Sequence, residues 1–151
     1  MSQVILLHGF ADFSGKYTTD LFRPYFEQAG YSVWECDYGF TLFPTWGKNR
    51  KTAQRLVEES EPRSIVVAHS NGAPIAKMAA DLGARLDTLV LLSPALDRDA
   101  RFAAHIRRII ILYSPADLPL SFASLWPWHP WGAMGVAGPS YPDPRIEAYQ
   151  V

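Results

Sequence analysis

The sequence has little of several features that would assign it to a specialised class of protein. Its 151 residues contain one cysteine, Cys36, so an internal disulfide is excluded and a reducing compartment is permitted. Cys36 ends an apparent strand, and we therefore expect a buried, unreactive thiol. No basic segment precedes the short apolar run at residues 4–7, so no secretory signal peptide is expected.

Charge and hydrophobicity exclude two further classes. The net charge is −1 and no block of like charges occurs. The short basic groups at residues 48–51 and 107–108 are interpreted as solvated ends of helices and strands, so no nucleic-acid partner is expected. The apolar run at 109–112 is too short to cross a bilayer. A cytoplasmic protein without a membrane span is the expectation.

What the sequence does contain is the composition and rhythm of a globular α/β protein. Apolar residues make up 48% and charged residues 19%, and the length suits one domain. Segments rich in Val, Ile and Leu alternate with helix-like segments, which predicts a three-layer, doubly wound, mostly parallel sheet of about six strands with helices on both faces. The predicted strands are residues 3–7, 32–36, 64–68, 88–92, 109–113 and 146–151. The predicted helices are residues 18–29 (ending at Gly30), 48–59, 73–82 (ending at Gly83) and 97–104.

Residues 118–141 differ from the rest of the single predicted domain, residues 1–151, because they are rich in Trp, Pro and Gly. The stretch is long for a connection in a compact domain, and such loops often carry function. Two interpretations fit it and are compatible: a lid over a binding site, and an apolar flap packed on the edge of the sheet.

The most informative motif is Ser70 between His69 and Asn71. It follows the apolar strand at residues 64–68 and precedes a helical segment, and small residues, Ala68 and Gly72, stand two positions to either side. A sharp turn from strand to helix strains the backbone at its apex and leaves no room for larger neighbours. This pattern predicts a nucleophile elbow with Ser70 at the apex. The first small position is Ala rather than the more usual Gly.

A second motif stands at the end of the first strand, where Leu7-His8-Gly9-Phe10 begins a loop. Acyl transfer needs N–H donors aimed at the developing oxyanion, and the amides of Phe10 and Asn71 are the predicted donors. In its His-Gly turn, its elbow and an acid loop downstream, the chain resembles the α/β-hydrolase superfamily over nearly its whole length. The resemblance implies a serine hydrolase on an α/β-hydrolase-like sheet.

The predicted acid is Asp117, in the loop that follows the strand at 109–113. It lies at the same edge of the sheet as Ser70, and the resemblance implies that an Asp here orients the catalytic His. Asp97, after the preceding strand, is the alternative, because some family members take the acid from that place. Either Asp also suits a helix N-cap.

The predicted base is His129, reached by considering the four histidines in turn. His8 belongs to the His-Gly turn, where packing and hydrogen bonding are its usual roles. His69 adjoins the nucleophile, but its side chain is expected to point away from that of Ser70. His105 precedes a strand at the opposite edge and is expected at the surface.

The chain order Ser70, Asp117, His129 matches the order of triad residues in this superfamily. The sequence also departs from the family, whose members carry the His in a loop after the last strand. That strand is predicted at residues 146–151, where the sequence ends. Either the aromatic loop supplies His129, or the triad is incomplete.

The predicted function is hydrolysis of an ester or related acyl bond in a small molecule through a Ser-His-Asp triad and an acyl-enzyme. Aromatic residues predict an apolar substrate pocket, formed by Phe10, Trp126, Trp128 and Trp131. No metal-ligand spacing or phosphate loop is present, so no metal or cofactor is expected. Two alternatives stay open: a non-catalytic binding protein on a hydrolase scaffold, and a truncated hydrolase that has lost its His loop.

Overall fold

The Val-, Ile- and Leu-rich segments form one sheet at the centre of the protein. The computed structural model describes residues 2–9, 16, 18–39, 46–117 and 132–151. The strands within them are β1 (Gln3–Leu7), β2 (Ser32–Glu35), β3 (Ser64–His69), β4 (Leu86–Leu92), β5 (Arg108–Tyr113) and β6 (Ile146–Gln150). These six described strands are all parallel and lie in the order β2-β1-β3-β4-β5-β6.

Helical segments connect the strands, as parallel pairing requires. They are a 3₁₀ helix (Thr19–Phe22), α1 (Arg23–Gln28), α2 (Trp46–Glu59), α3 (Gly72–Asp81) and a single turn, α4 (Met134–Ala137). The glycines predicted to follow the first and third helices, Gly30 and Gly83, have φ angles of 86° and 93°. Both therefore adopt the left-handed conformation that commonly ends a helix.

One face of the sheet packs against α2 and α3. Inward side chains of the strands, such as Ile5 and Leu89, form a fully buried cluster with Leu56 of α2 and Ile75 of α3. The side of α3 that enters this cluster is made mainly of small residues, which let the helix approach the strands closely. Those small buried residues are Gly72, Ala73, Ala76, Ala79 and Ala80.

The opposite face of β1 and β3 packs against α1. Val4, Leu6 and Val67 are buried there, with Phe26 of α1 and Tyr31 packed against them. Side chains alternate between the two faces along each strand, so near-continuous apolar runs fill both layers. Helices on both faces of a parallel sheet confirm the predicted doubly wound α/β fold.

The first helical segment is divided where the sequence predicts one helix over residues 18–29. The 3₁₀ helix ends at Phe22, and α1 begins with Arg23 and Pro24. Proline has no N–H to donate to the preceding turn and disfavours helical geometry in the residue before it. Pro24 is therefore accommodated in the first turn of a new helix.

The prediction of a helix at residues 97–104 is wrong, because these residues form turns and irregular structure. Hydrogen bonds from distant residues hold the segment in this path. The carbonyls of Phe102 and Ala103 accept hydrogen bonds from the guanidinium of Arg145 at 3.2 and 2.7 Å, and the Arg98 carbonyl accepts from the N–H of Ser140 at 2.7 Å. These contacts outweigh the weak local preference for helix.

Cys36 is fully buried just after β2, as predicted. Burial raises the pKa of its thiol to about 11, so the thiol stays protonated at neutral pH and is a poor nucleophile. In the part of the chain that the structure describes, none of the helices has the length and apolar composition needed to cross a membrane.

The contacts of Arg145 generate a prediction about stability. Its guanidinium donates to the carbonyls of Phe102, Ala103 and Ile106 and pairs with Asp143. We expect Arg145→Ala to lower the free energy of unfolding by about 2 kcal/mol or more, because partly buried acceptors lose a charged donor. Urea denaturation measures this change.

Arg108→Ala is the control for Arg145→Ala. Arg108 makes a two-point ion pair with Glu147, but its side chain is 56% exposed, so solvent screens the pair and the loss should be much smaller. Equal losses for the two variants would show that Arg145 does not hold the 97–106 segment.

Candidate active site

The strand order changes direction between β1 and β3. From β1 the chain runs outward to β2 on one side, and then returns to build β3, β4, β5 and β6 on the other side. In doubly wound sheets, ligands bind at the carboxyl ends of the strands where this direction changes. Leu7 is paired with Ala68, so the loop after β1 and the turn after β3 emerge side by side. Ser70 lies in that turn.

Ser70 has the strained backbone that the elbow motif predicts. Its φ is 49°, in the left-handed region that non-glycine residues rarely adopt. Its N–H donates to the Leu92 carbonyl at 2.9 Å, and its own carbonyl accepts from the N–H groups of Ala73 at 3.1 Å and Ala95 at 3.2 Å. Hydrogen bonds on both sides of the residue keep it in this conformation, and strain of this kind clusters at functional sites.

The small residues beside Ser70 are required by the close packing of the turn. A Cβ added to Gly72 would lie 2.7 Å from the Leu7 carbonyl oxygen and 2.9 Å from that of His8. These distances are shorter than a van der Waals contact, so only glycine fits against the end of β1. Ala68 on the other side of Ser70 is fully buried.

Gly9 brings the loop after β1 directly against the turn. A Cβ at this position would be 2.6 Å from His69 Nδ1 and 3.2 Å from Ser70 Cβ. The absence of a side chain lets the backbone before Phe10 approach Ser70. Phe10 itself, the predicted second oxyanion donor, lies outside the described residues.

The backbone N–H of Asn71 is available to a ligand. Asn71 precedes the first residue of α3, and its N–H has no acceptor within residues 2–9, 16, 18–39, 46–117 and 132–151. Free N–H groups at a helix start attract a developing negative charge. This geometry suits the oxyanion role that the sequence predicts for Asn71.

The two acid candidates stand in different surroundings. Asp117 is partly buried in a turn after β5, where its N–H donates to the Ser114 carbonyl at 3.0 Å. Asp97 is exposed and lines a surface groove of about 470 Å³ whose other wall includes Pro74 and Lys77 of α3. Both follow the carboxyl ends of strands, as predicted, and Asp117 is the less exposed.

The remaining predicted site residues lie outside the described residues: His129, Trp126, Trp128 and Trp131. Part of the predicted aromatic loop, residues 132–141, is described. Its helix α4 places Met134 in the core, and the N–H groups of Met134 and Gly135 donate to the carbonyls of Leu96 and Pro94 at 2.9 Å. This part of the loop packs on the sheet.

A second residue with a strained backbone supports the Ser70 turn, and its role was not predicted from the sequence. Ser93, just after β4, has a φ of 43°, and its N–H donates to the Leu112 carbonyl at 2.8 Å. The resulting bend carries Ala95 back to the Ser70 carbonyl. The Ser93-Pro94 pair after an apolar strand was the available signal, since such dipeptides favour turns.

A group of buried polar side chains lies behind the turn, of which only the packing and hydrogen bonding of His8 were expected from the sequence. His8 is 1% exposed, and its ring stacks on Tyr38 with a centroid separation of 4.1 Å. Asn71 is paired with Asn49 of α2. An asparagine at a buried position of an otherwise amphipathic helix was the signal, because buried amides require partners.

Among the described residues, no group of 3 or more His, Cys, Asp or Glu side chains is arranged to hold a metal ion. The described groups at this edge of the sheet include a strained serine, a backbone N–H with no acceptor among the described residues, and the carboxyl groups of Asp97 and Asp117.

Comparison with known proteins gives the class of this fold. No family model matches the chain, and no curated protein matches it in sequence. In structure it is similar to a candidate hydrolase of the α/β superfamily from Xanthomonas campestris pv. campestris, at 19% identity and a TM-score of 0.62, over 100% of this chain and 87% of that one. The chain therefore has an α/β-hydrolase fold.

More partial similarity is found to a pyrethroid hydrolase from Sphingobium faniae JZ-2. The identity is 24% and the TM-score 0.47, over 66% of this chain and 42% of that protein. The matched region is thus less than half of the pyrethroid hydrolase.

The close approach at Gly9 can be tested by substitution. We expect Gly9→Ala to lower the free energy of unfolding by about 1 kcal/mol or more, because the added methyl meets the His69 ring and Ser70 Cβ. Urea denaturation of the two proteins checks this expectation.

Gly47→Ala is the matched control for Gly9→Ala. It lies in α2, and an added Cβ would have no non-local atom of the described residues within 4 Å. It should raise the free energy of unfolding by about 0.5 kcal/mol, since alanine is the better helix former. A Gly9→Ala protein as stable as the Gly47→Ala protein would contradict the close approach.

Proposed function

We propose that this protein is a serine hydrolase that cleaves an ester or related acyl bond with Ser70 as the nucleophile. The observation that carries the proposal is the left-handed backbone of Ser70 at the β3–α3 turn, beside the loop after β1. Strain of this kind is costly, and a serine held in it is presented above the sheet. The similarity of the fold to a candidate hydrolase supports the same class of reaction.

The proposed first half-reaction forms an acyl-enzyme. Ser70 Oγ attacks the carbonyl carbon as His129 takes its proton, and the carbonyl electron pair moves to the oxygen. The N–H groups of Phe10 and Asn71 stabilise this oxyanion. The tetrahedral intermediate then collapses, the bond to the leaving alkoxide breaks, and His129 returns the proton to that alkoxide.

The second half-reaction reverses the proton path. Water attacks the acyl carbon with His129 as the base, and the acid product leaves as Ser70 regains its proton. Asp117 is proposed to orient His129 and to stabilise its protonated form. The partial burial of Asp117 favours it over the exposed Asp97 for this role, because solvent weakens the electrostatic attraction between an exposed carboxylate and a protonated His.

The proposed substrate class is a small ester with an apolar acyl or aromatic group. The aromatic residues Phe10, Trp126, Trp128 and Trp131 are the proposed lining of its pocket. Aromatic side chains supply large apolar contact areas for such groups. No metal or cofactor takes part in the proposed reaction.

The first test of this proposal is hydrolysis of p-nitrophenyl esters from acetyl to octanoyl. Ser70→Ala should reduce kcat/KM by at least about 10³-fold, because the nucleophile is lost. Its free energy of unfolding should change by less than about 1 kcal/mol, since the change is small and local. Ser32→Ala, at an exposed serine of β2, is the control and should retain full activity.

A second set of variants tests the acid and the base. Asp117→Asn and His129→Ala should each reduce kcat by about 10²-fold to 10⁴-fold and leave KM nearly unchanged, because they act on the transition state. Asp97→Asn and His105→Ala are the controls. A loss confined to Asp97→Asn would move the acid to that residue, and full activity of His129→Ala would remove it from the mechanism.

Failure of every ester, with a folded protein, would favour the alternative of a non-catalytic binding protein. That outcome would leave the α/β-hydrolase fold intact and contradict only the proposed chemistry.

A further inference from the structure

Four polar side chains from four separate segments are buried together behind the Ser70 turn. They are His8 after β1, Tyr38 after β2, Asn49 in α2 and Asn71 after β3, with exposed fractions of 1%, 8%, 9% and 5%. Buried polar groups are costly unless they are hydrogen-bonded, so each of them needs a partner. The side chains of Tyr38, Asn49 and Asn71 bond to one another. The ring nitrogens of His8 instead bond to the Gly9 carbonyl, the Asp37 carboxylate and the Tyr38 N–H.

The hydrogen bonds of this group run in a defined direction. Asn49 Nδ2 donates to Asn71 Oδ1 at 3.1 Å, and Asn71 Nδ2 donates back to Asn49 Oδ1 at 3.2 Å. The second proton on Asn71 Nδ2 goes to Tyr38 Oη at 3.2 Å. Tyr38 Oη in turn donates its only proton to the His8 carbonyl at 2.8 Å, so the hydroxyl can only accept from Asn71. The group of Asn71 that faces Tyr38 is therefore Nδ2, and this sets the orientation of the Asn71 amide.

This network holds the side chain of Asn71, whose backbone N–H belongs to the peptide group between Ser70 and Asn71. The carbonyl of that peptide is held by the N–H groups of Ala73 and Ala95. With both the carbonyl and the Asn71 side chain anchored, the peptide plane cannot rotate. Its N–H, which has no acceptor among the described residues, therefore points in one direction only.

The same network reaches the loop after β1. The ring of Tyr38 stacks on the ring of His8, and His8 Nδ1 donates to the Gly9 carbonyl at 2.9 Å. Gly9 directly precedes Phe10, whose amide is the other proposed oxyanion donor. Both stretches that carry the donors are thus attached to one buried hydrogen-bonded cluster.

We infer that Tyr38 and Asn49 are positioning residues that fix the Asn71 N–H as an oxyanion donor. The inference rests on the proposed function and names residues that the mechanism itself does not use. Stability alone is a weak explanation for the cluster, because apolar side chains of the same size fill a core at least as well as buried polar ones. A preorganised donor, by contrast, needs a rigid polar support.

The test is the rate at which a fluorophosphonate inactivates the protein, separated into the binding constant KI and the maximal rate kinact. Asn49→Leu should lower kinact by about 10-fold to 100-fold, less than the 10²-fold to 10³-fold expected when a donor itself is removed. Tyr38→Phe loses both hydrogen bonds of the Tyr38 hydroxyl but keeps the ring that stacks on His8, so it should lower kinact by less. KI should stay within about threefold of the wild-type value, because binding precedes the formation of the oxyanion.

Thr52→Val is the matched control for loss of stability. Thr52 lies in α2, in the helical turn that follows Asn49, and is buried like Asn49. Its hydroxyl donates to the Lys48 carbonyl at 2.9 Å. It has no hydrogen bond to the network. Thermal unfolding of all variants should show that Thr52→Val and Tyr38→Phe are similarly destabilised, while only the network variants lose kinact.

The outcomes separate this inference from the proposed function. If the wild-type protein is inactivated and Tyr38→Phe and Asn49→Leu have the same kinact as the wild type, the inference is overturned and the proposed function stands. An equal loss of kinact in Thr52→Val would overturn it as well, because the loss would then reflect stability. No inactivation of the wild-type protein would overturn the proposed function, and the inference with it.

Discussion

The contact between the Ser70 turn and the end of β1 is the constraint on which the rest of the site depends. Gly72 lies against the carbonyls of Leu7 and His8, and Gly9 lies against Ser70 itself. Backbones approach this closely only where side chains are absent, so the strained serine, the start of α3 and the loop after β1 form one packed unit. Ser70 donates its N–H to the Leu92 carbonyl and accepts from the N–H groups of Ala73 and Ala95, and these hydrogen bonds keep it in the strained conformation.

The order of the strands explains where this unit lies. β1 and β3 are neighbours at the point where the chain changes direction across the sheet, and ligands of doubly wound sheets bind at the carboxyl ends of such strands. The turns after β4 and β5 lie at the same edge and carry Ser93 and Asp117. The proposed nucleophile and the proposed acid thus come from different segments that one topology brings to one edge.

The strands and the elbow were predictable because their signals are local. Continuous Val, Ile and Leu identify buried parallel strands, and a serine between small residues identifies the turn. The absence of a helix at residues 97–104 was not predictable, because hydrogen bonds from Arg145 and Ser140, both distant in sequence, hold this segment. The pairing of Asn49 with Asn71 was equally hidden, since it depends on how α2 lies against the turn. Local preferences decide where elements form, and tertiary contacts decide how polar groups are satisfied.

The central claim is that Ser70 is an activated nucleophile, and covalent modification tests it most directly. The protein would be treated with a fluorophosphonate, weighed intact, and digested to locate the adduct. We expect a single adduct on Ser70 and none on Ser70→Ala, because the turn presents Ser70 to its proposed base and oxyanion donors. A folded wild-type protein that stays unmodified, or an adduct on another residue, would contradict the central claim.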